Sequence, residues 1–444
     1  VPSGAKLTVS SIGYVTKTIG VEEASSIVLE DDYMMLDDVV VVGYGVQKKS
    51  VVTASISSIT EDNLKLQSNN RIDAVLQGMT SGVTVTQSSG APDASSQVRI
   101  RGIGTIHNSE PLYIVDGLAI SGGIDYLNPN DIERIEILKD AASAAVYGAR
   151  GANGVVLVTT KKGTAGKTTV SYDFTYGVQN PWRKPSVLNA TEYAVMMNEA
   201  AVNNGSELRY DDPYQYGVGT DWVDAIFNKN APQQKHDLTI SGGNDRIVYS
   251  VSGGYLSREG IVGGNYGRSN YDRFTVHESL GATLFDASDR RIYLNKMEIS
   301  TSASYAHINS TGISTNSEFG SPLGSALGMS PIEPIYADAA TEELYKQMYP
   351  AGYPYLIRDA EGRLFTVADG AVYNEQNNPL AMLSQPATKY NTDKFVANAS
   401  ATLQLIDGLK FKSSVGIALA FWGNHGYSVP YFLSTKNFSY DTVT

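Results

Sequence analysis

Residues 395–405 read Phe-Val-Ala-Asn-Ala-Ser-Ala-Thr-Leu-Gln-Leu, in which apolar and polar side chains alternate. A period of two residues predicts a β-strand with two different faces. Such a strand fits a membrane wall with lipid on one side and a polar lumen on the other. The alternation fits an antiparallel sandwich with one solvated face equally well. The apolar face holds Phe395, Ala397, Ala399, Ala401 and Leu403, and the polar face holds Asn398, Ser400, Thr402 and Gln404.

The same pattern recurs from residue 164 to the end of the chain, with polar turns such as Asp407-Gly408 between neighbouring strands. One helix interrupts it, because Asn189 and Glu192 have the spacing of a capping box, which satisfies free backbone groups at a helix start. The region is therefore predicted to be mainly antiparallel β-structure, with strands at 170–178, 236–242, 246–257, 271–285, 298–308, 395–405 and 409–421.

Upstream of this region, residues 48–163 have the texture of a mixed α/β domain, and residues 5–30 alternate like short strands of a small β-sandwich. An acidic linker with a valine-rich run lies between them. The elements expected in the α/β domain are an amphipathic helix over 70–79, a helix start at Asn128-Pro129, a helix of small residues from Asp140 to Gly148 and a strand over 154–160.

Composition excludes several classes of function. The 444 residues carry a formal net charge of -12 and no basic stripe, so nucleic-acid binding is excluded as the main task. The absence of cysteine excludes disulfides and thiolate metal sites. The five histidines lack metal-ligand spacing, and no nucleophile motif accompanies the serines. We therefore expect no enzyme, no metal and no cofactor. The longest apolar runs are far shorter than the roughly 20 residues of a membrane-spanning helix.

Several motifs occur in one order along residues 1–165, and together they resemble the SusC/RagA family of TonB-dependent outer-membrane transporters. The resemblance covers about the first third of the chain. Beyond residue 165, only the pattern of long alternating strands is similar to that family. The motifs are Leu-Asp-Asp-Val-Val-Val-Val-Gly-Tyr-Gly at 36–45, Leu-Gln-Gly at 76–78, Ile-Arg-Gly at 100–102, Pro-Leu-Tyr-Ile-Val-Asp-Gly at 111–117, Leu-Lys-Asp-Ala at 138–141 and Tyr-Gly-Ala-Arg-Gly-Ala-Asn-Gly at 147–154.

This resemblance implies a mixed fold in four parts. Residues 1–32 would be the C-terminal half of a carboxypeptidase-regulatory-like β-sandwich, and 33–47 a linker with the TonB box. Residues 48–163 would be an α/β plug domain. Residues 164–444 would be the first strands of a large antiparallel transmembrane β-barrel of about 22 strands, incomplete in this chain, because plugged lumens belong to barrels of that size.

The TonB box implied by the resemblance comprises Asp38, Val39, Val40, Val41, Val42, Gly43, Tyr44 and Gly45. An exposed β-branched run with free backbone groups lets a partner add a strand to its own sheet. A buried parallel strand ending in a glycine turn is the structural alternative for a valine run of this kind.

Two further groups of residues are candidate sites. Charged side chains of the plug are expected to face the barrel lumen, with a solvated sheet edge as the alternative; they are Arg99, Arg101, Asp116, Lys139, Asp140 and Arg150. Aromatic loop residues could stack on sugar rings, and an interfacial aromatic girdle explains them equally well; they are Tyr210, Tyr214, Tyr216 and Trp222.

The resemblance also implies a function: active import of oligosaccharides or peptides across the outer membrane of a Gram-negative bacterium. TonB and its inner-membrane motor proteins would supply the force, a SusD-like surface lipoprotein would hold the ligand, and outer-membrane lipid would surround the barrel. No nucleic acid is expected as a partner. Two alternatives remain: a soluble, secreted glycan-binding β-protein, and a surface receptor that senses a ligand without importing it.

Overall fold

The computed structural model describes residues 56–65, 71–106, 108–140, 144–287, 293–368, 375–406 and 408–441, together with the backbone of four short strands nearer the N-terminus. These strands form two antiparallel pairs, β1 (Lys6–Val9) with β2 (Lys17–Gly20) and β3 (Val39–Val42) with β4 (Gly45–Lys48). The other strands expected within 1–32 lie outside the described residues, so the β-sandwich stays a prediction.

The α/β domain is built on a five-stranded sheet in the order β5-β10-β11-β8-β9. Only β8 and β11 run parallel to each other. The paired residues, 112–115 of β8 and 155–158 of β11, are apolar and buried, as expected for strands that are covered on both faces. The elements are β5 (Ile56–Thr60), α1 (Glu61–Lys65), α2 (Ile72–Val75), the separate hairpin β6 (Val83–Gln87) and β7 (Ser96–Ile100), β8 (Leu112–Val115), β9 (Leu118–Ile120), β10 (Ile132–Leu138) and β11 (Val155–Thr160).

Local signals in this domain are mostly found where the sequence predicts them. The helix expected over 70–79 is the single turn α2, whose apolar face is buried. Asn128 caps a 3-10 helix at Pro129–Asp131, as the Asn-Pro signal predicts. Most of the helix expected from Asp140 to Gly148 cannot be scored, because residues 141–143 lie outside the described residues. The Ala144 nitrogen donates to the Asp140 carbonyl at 3.1 Å, and a 3-10 helix follows at Ala145–Gly151, in which Gly148, the expected stop, has a φ of 62°.

A seven-stranded antiparallel sheet follows, in which each strand pairs with its neighbours in the chain. All seven strands predicted from the sequence are present, and each is longer than predicted. Within the described residues this sheet does not close on itself. Its strands are β12 (Gly166–Gln179), β13 (Ala231–Gly243), β14 (Ile247–Glu259), β15 (Asn270–Asp286), β16 (Lys296–Thr311), β17 (Lys389–Ile406) and β18 (Leu409–His425).

The two faces of this sheet have different partners. On β17, Phe395 is 38% exposed and points away from the α/β domain, whereas Val396 is buried against it. Asn398 follows on the same inward face and bonds to that domain. The alternation of residues 395–405 therefore separates an outer apolar face from an inner polar one.

The connections at the two ends of the sheet differ in length. At one end the strands are joined by residues 244–246, 287–295 and 407–408, and at the other by 180–230, 260–269 and 312–388. The long connections contain α3 (Ala190–Asn203), α4 (Trp222–Ile226), α5 (Pro322–Gly328), α6 (Ala339–Met348) and α7 (Pro379–Leu383). The strands β19 (Tyr431–Ser434) and β20 (Asn437–Ser439) pair beyond β18.

The α/β domain packs on the inner face of the large sheet. Side chains of both join one hydrophobic core, in which Tyr271 and Ile308 of the sheet meet Ile72 and Ile124 of the domain. The passage from the domain to β12 is tight, since a Cβ atom on Gly163 would lie 2.2 Å from the backbone nitrogen of Tyr249. Among the described residues, no helix combines the length and apolarity needed to span a membrane.

Candidate functional site at the interface of the domain and the sheet

An ion pair joins the α/β domain to the large sheet near its long connections. Lys394 on β17 places its ammonium 2.8 Å from the carboxylate of Asp125, and the two side chains are 20% and 26% exposed. Arg273 on β15 donates from Nη1 to the Asp125 carbonyl at 2.7 Å. Removing one partner of a buried ion pair costs about 3–5 kcal/mol. The residual exposure lowers that cost here, because solvent screens the remaining charge.

The neighbouring cations keep Asp125 charged. Burial alone would raise the pKa of this carboxyl, but Lys394, Arg71 and Arg273 outweigh it and hold the pKa below its ordinary value. A lowered pKa means that the pair stabilises the interface above the unfolded pKa of about 4, and that the stabilisation is lost as pH falls through the folded pKa. The Asp125–Lys394 pair is therefore charged at neutral pH.

A second polar contact centres on Asp237 of β13. Its carboxylate accepts from the side-chain amides of Asn128 at 2.5 Å and Asn130 at 2.7 Å, and it pairs with Lys235 at 3.0 Å. Asn128 therefore both caps its own 3-10 helix and bonds the sheet. Gly254 on β14 makes room for this contact, because a Cβ atom there would lie 2.5 Å from the Asn128 amide nitrogen.

Asp131 forms the next contact along the interface. Ser252 of β14 donates to its carboxylate at 2.5 Å. Burial raises the pKa of Asp131, while the Ser252 bond and His277 oppose the rise. His277 itself contacts Ser304 through Nδ1 at 2.9 Å. In the described ranges, no three His, Cys, Asp or Glu side chains are grouped so that they could hold a metal ion.

Asp116 occupies the tip of the β8–β9 hairpin, which reaches the sheet closer to its short connections. Its φ is 48° and that of Gly117 is 86°, as a tight hairpin turn requires. The carboxylate accepts from Thr160 inside the domain, from its backbone nitrogen at 2.9 Å and its hydroxyl at 2.7 Å, and from Ser302 of β16 at 2.7 Å. The Asp116 carbonyl accepts from Asn398 at 2.7 Å. The Asn398 bond joins two neutral groups and contributes about 0.5–1.5 kcal/mol, whereas a bond to the charged carboxylate contributes about 1.5–3 kcal/mol.

Below this turn the domain and the sheet separate and leave a cavity of about 640 Å³, which we call the cleft. The domain contributes Ile114, Tyr147 and Leu157 to its surface, together with Arg134 and Lys162. The sheet contributes Lys412 and a set of small polar side chains, namely Ser279, Ser300, Ser302, Asn398, Ser400 and Ser414. The interface therefore has a packed half toward the long connections and an open half toward the short ones.

The other charged residues that the sequence predicts for this interface lie away from the packed half. Arg99 donates to its neighbours, the Val98 carbonyl at 3.1 Å and the Gln97 side chain at 3.3 Å. Lys139 donates to the Ser81 carbonyl at 2.7 Å. Asp140 is half-buried, whereas Arg101 and Arg150 are exposed.

The four aromatic candidates separate into two groups. Tyr210 and Tyr216 meet edge to face with ring centroids 5.4 Å apart, and Tyr214 is 77% exposed. Trp222 differs from the expectation of an accessible ring, because it is 2% exposed and packs in the core beneath the long connections. Its indole nitrogen donates to the Ser330 carbonyl at 2.8 Å, which fixes the ring inside this core.

The valine-rich segment forms a small hairpin of its own. Val39 lies opposite Lys48, and Val42 lies opposite Gly45. This two-stranded pair is separate from both larger sheets. Asp38, Gly43 and Tyr44 lie outside the described residues.

Sequence reasoning missed the residues that make the strongest contacts, Asp125, Asp237, Arg273 and Lys394. The strand pattern contained a usable signal for three of them. Arg273, Lys394 and Asp237 occupy the inward parity of their strands, where a charged side chain must meet either water or a partner. Asp125 lies on no strand and carries no such signal, because it matters only through a contact distant in sequence.

Comparison with known proteins agrees with this architecture. Residues 48–155 match the family model of the TonB-dependent receptor plug domain. The chain is 32% identical over 429 residues to the TonB-dependent receptor SusC of Bacteroides thetaiotaomicron, which covers 93% of this chain and 40% of that protein. It is 37% identical over 339 residues to the TonB-dependent receptor P26 of Formosa agariphila, covering 74% of this chain and 32% of that one.

Solved structures share the fold at lower identity. The RagAB peptide transporter superposes with a TM-score of 0.67 at 22% identity, over 86% of this chain and 42% of that one. The RagAB peptide importer in its open-open state gives a TM-score of 0.64 at 24% identity, over 89% and 44% of the two chains. The chain thus spans well under half the length of these relatives.

The α/β domain is a plug, and the plug with its antiparallel sheet defines the class: a TonB-dependent receptor. Members of this class are outer-membrane proteins of Gram-negative bacteria. Within it, the chain belongs to the SusC/RagA family.

Proposed function

We propose that this chain is the N-terminal portion of an active importer that carries oligosaccharides or peptides across the outer membrane. The observation that carries the proposal is the plug bound to the inner face of an antiparallel sheet through side-chain hydrogen bonds and an ion pair. Beside the apolar core that the plug shares with the sheet, these polar contacts can be replaced by water, so the interface separates at lower cost than one that is apolar throughout. A plug held in this way suits a pore that must open and reclose.

Force would enter through the segment from Asp38 to Gly45, which we propose as the TonB-binding handle. The pairing of β3 with β4 as a hairpin apart from the plug sheet supports this role. A two-stranded hairpin is at best marginally stable in water, so a partner strand can replace β4 at small cost. The inner-membrane motor proteins would then pull on the plug through TonB.

The remaining partners follow from the same proposal. We propose that the long connections face the cell exterior, since such barrels have short periplasmic turns and longer extracellular loops. A SusD-like lipoprotein would hold the ligand above them, and Tyr210, Tyr214 and Tyr216 would line the entrance. We further propose the four domains at 1–32, 33–47, 48–163 and 164–444, with a complete barrel of about 22 strands.

Deletion of residues 38–45 in the full-length protein tests the proposal. Import of fluorescently labelled oligosaccharide or peptide pools into the native host should stop, while binding of the same pools at the cell surface continues. Replacement of residues 38–45 by eight glycine and serine residues is the matched control for loss of chain, because it keeps the length of the linker and should stop import as the deletion does. Normal uptake by the 38–45 deletion strain would refute the handle. Undiminished binding by a water-soluble, lipid-free form of the protein would favour the secreted glycan-binding alternative.

A further inference from the structure

The two halves of the interface between plug and sheet differ in chemistry. Toward the long connections, the contact is packed: Tyr271, Ala306, Ile308 and Val396 of the sheet are all at most 9% exposed and share one core with the plug. The Asp125–Lys394 pair lies in this half. Toward the short connections, the cleft keeps the two surfaces apart over about 640 Å³.

The boundary between the halves is the Asp116 turn. Residues that bind it, Ser302 on β16 and Asn398 on β17, lie between the packed positions and the cleft positions of their own strands. On β18, Gly416 gives Leu118 the space to pack, because a Cβ atom there would lie 2.6 Å from the Leu118 Cδ1 atom. The hairpin tip therefore contacts three consecutive strands.

The sheet side of the cleft carries a row of hydroxyl and amide side chains beside the apolar Val248 and Leu280. Ser300 and Ser400 face each other across β16 and β17 with their hydroxyl oxygens 2.8 Å apart. A hydroxyl group both donates and accepts hydrogen bonds, so these side chains can bond to water or to a ligand. A volume of this size holds roughly 20 waters at about 30 Å³ each. Because Lys162 and Lys412 also line the cleft, a cationic ligand would be repelled there.

We propose that the cleft is a water-filled exit chamber for a hydrogen-bonding ligand without positive charge, and that the Asp116 turn separates it from the packed contact above. This inference rests on the proposed import function. The route past the plug is then already open over its lower half. Movement of the plug has to open only the packed half, and many weak hydroxyl contacts let the ligand leave, since transport needs binding sites that also release.

Single cysteines test whether the chamber holds water. The 444 residues contain no cysteine, so each new thiol can be followed in its own peptide by mass spectrometry. Ser300→Cys and Ser400→Cys place a thiol in the chamber. Ala306→Cys and Val396→Cys place one in the packed contact of the same two strands and are the matched controls. All four are made in the full-length protein in detergent and treated with sulfonatoethyl methanethiosulfonate.

Both chamber thiols should react at least about tenfold faster than both packed thiols, because a packed position reacts only after local opening. Equal rates, or slow reaction at Ser300→Cys and Ser400→Cys, would overturn the chamber. This outcome does not depend on import. The chamber can therefore be refuted while the import proposal stands. Normal uptake by the 38–45 deletion strain would refute the handle while the chamber stands.

The boundary role of the turn has its own test. Asn398→Ala removes the hydrogen bond from the sheet to the Asp116 carbonyl and leaves every bond inside the plug intact. When Asn398→Ala is combined with Ala306→Cys, the labelling rate of the packed thiol should rise about fivefold. A fivefold change is what the loss of one neutral hydrogen bond corresponds to. Thr402→Ala, on the same face of β17 but below the turn, should leave the rate unchanged. No difference between the two backgrounds would refute the boundary.

Discussion

Replacing Lys394 by methionine tests how the packed half of the interface is held. The substitution keeps most of the side-chain stem and removes the charge 2.8 Å from the Asp125 carboxylate. Loss of a buried partner costs about 3–5 kcal/mol, and screening at side chains that are 20% and 26% exposed reduces this to about 2–3 kcal/mol. At tenfold per 1.4 kcal/mol, local opening should become roughly 30- to 150-fold more frequent.

Native-state hydrogen exchange of peptides covering 124–131 in the full-length protein measures this opening. The matched control is Lys412→Met, a lysine of the neighbouring strand that lines the cleft. The effect should depend on pH in a defined direction. Because the pKa of Asp125 is lowered in the folded protein, the difference between variant and parent should be full at pH 7 and shrink as pH falls below about 4. Exchange within threefold of the parent at pH 7, or a difference that grows on acidification, would refute the reasoning.

Three further predictions concern stability. Gly154→Ala should destabilise the plug by about 1–3 kcal/mol in thermal unfolding, because the φ of Gly154 is 90° and its new Cβ would lie 2.7 Å from an isoleucine methyl; Gly90→Ala, which meets open space, should be neutral. Trp222→Phe should speed proteolysis of the 312–388 connection, since it leaves a buried carbonyl unpaired at about 1–3 kcal/mol, whereas the 94% exposed Trp182 should tolerate the same change. Burial raises the pKa of Tyr345 to about 12, so its contribution should be constant below pH 10 and be lost as pH rises to 12, a dependence that Tyr345→Phe removes in pH-resolved unfolding.

The strands of the large sheet were predictable because their signal is local. An inward residue such as Asn398 and an outward one such as Phe395 differ in character at a fixed period of two, and no distant contact is needed to read it. The capping box of α3 was predictable for the same reason: Asn189 and Glu192 satisfy each other's backbone within one helical turn.

The contacts of the plug were less predictable, because each depends on a partner far along the chain. Asp125 and Lys394 are 269 residues apart in sequence, and neither has a neighbour that reveals the pairing.

The tight passage at Gly163 limits how far the plug can travel. β11 ends at Thr160 and β12 begins at Gly166, so six Cα–Cα steps join the plug to the first strand of the large sheet. Fully extended, they reach about 20 Å. As long as β11 stays paired in the plug sheet, residues 161–165 hold the end of β11 within about 20 Å of the start of β12. If the chain works as the proposed importer, a pull on the plug therefore tilts or partly unfolds it, while the tethered corner stays beside β12.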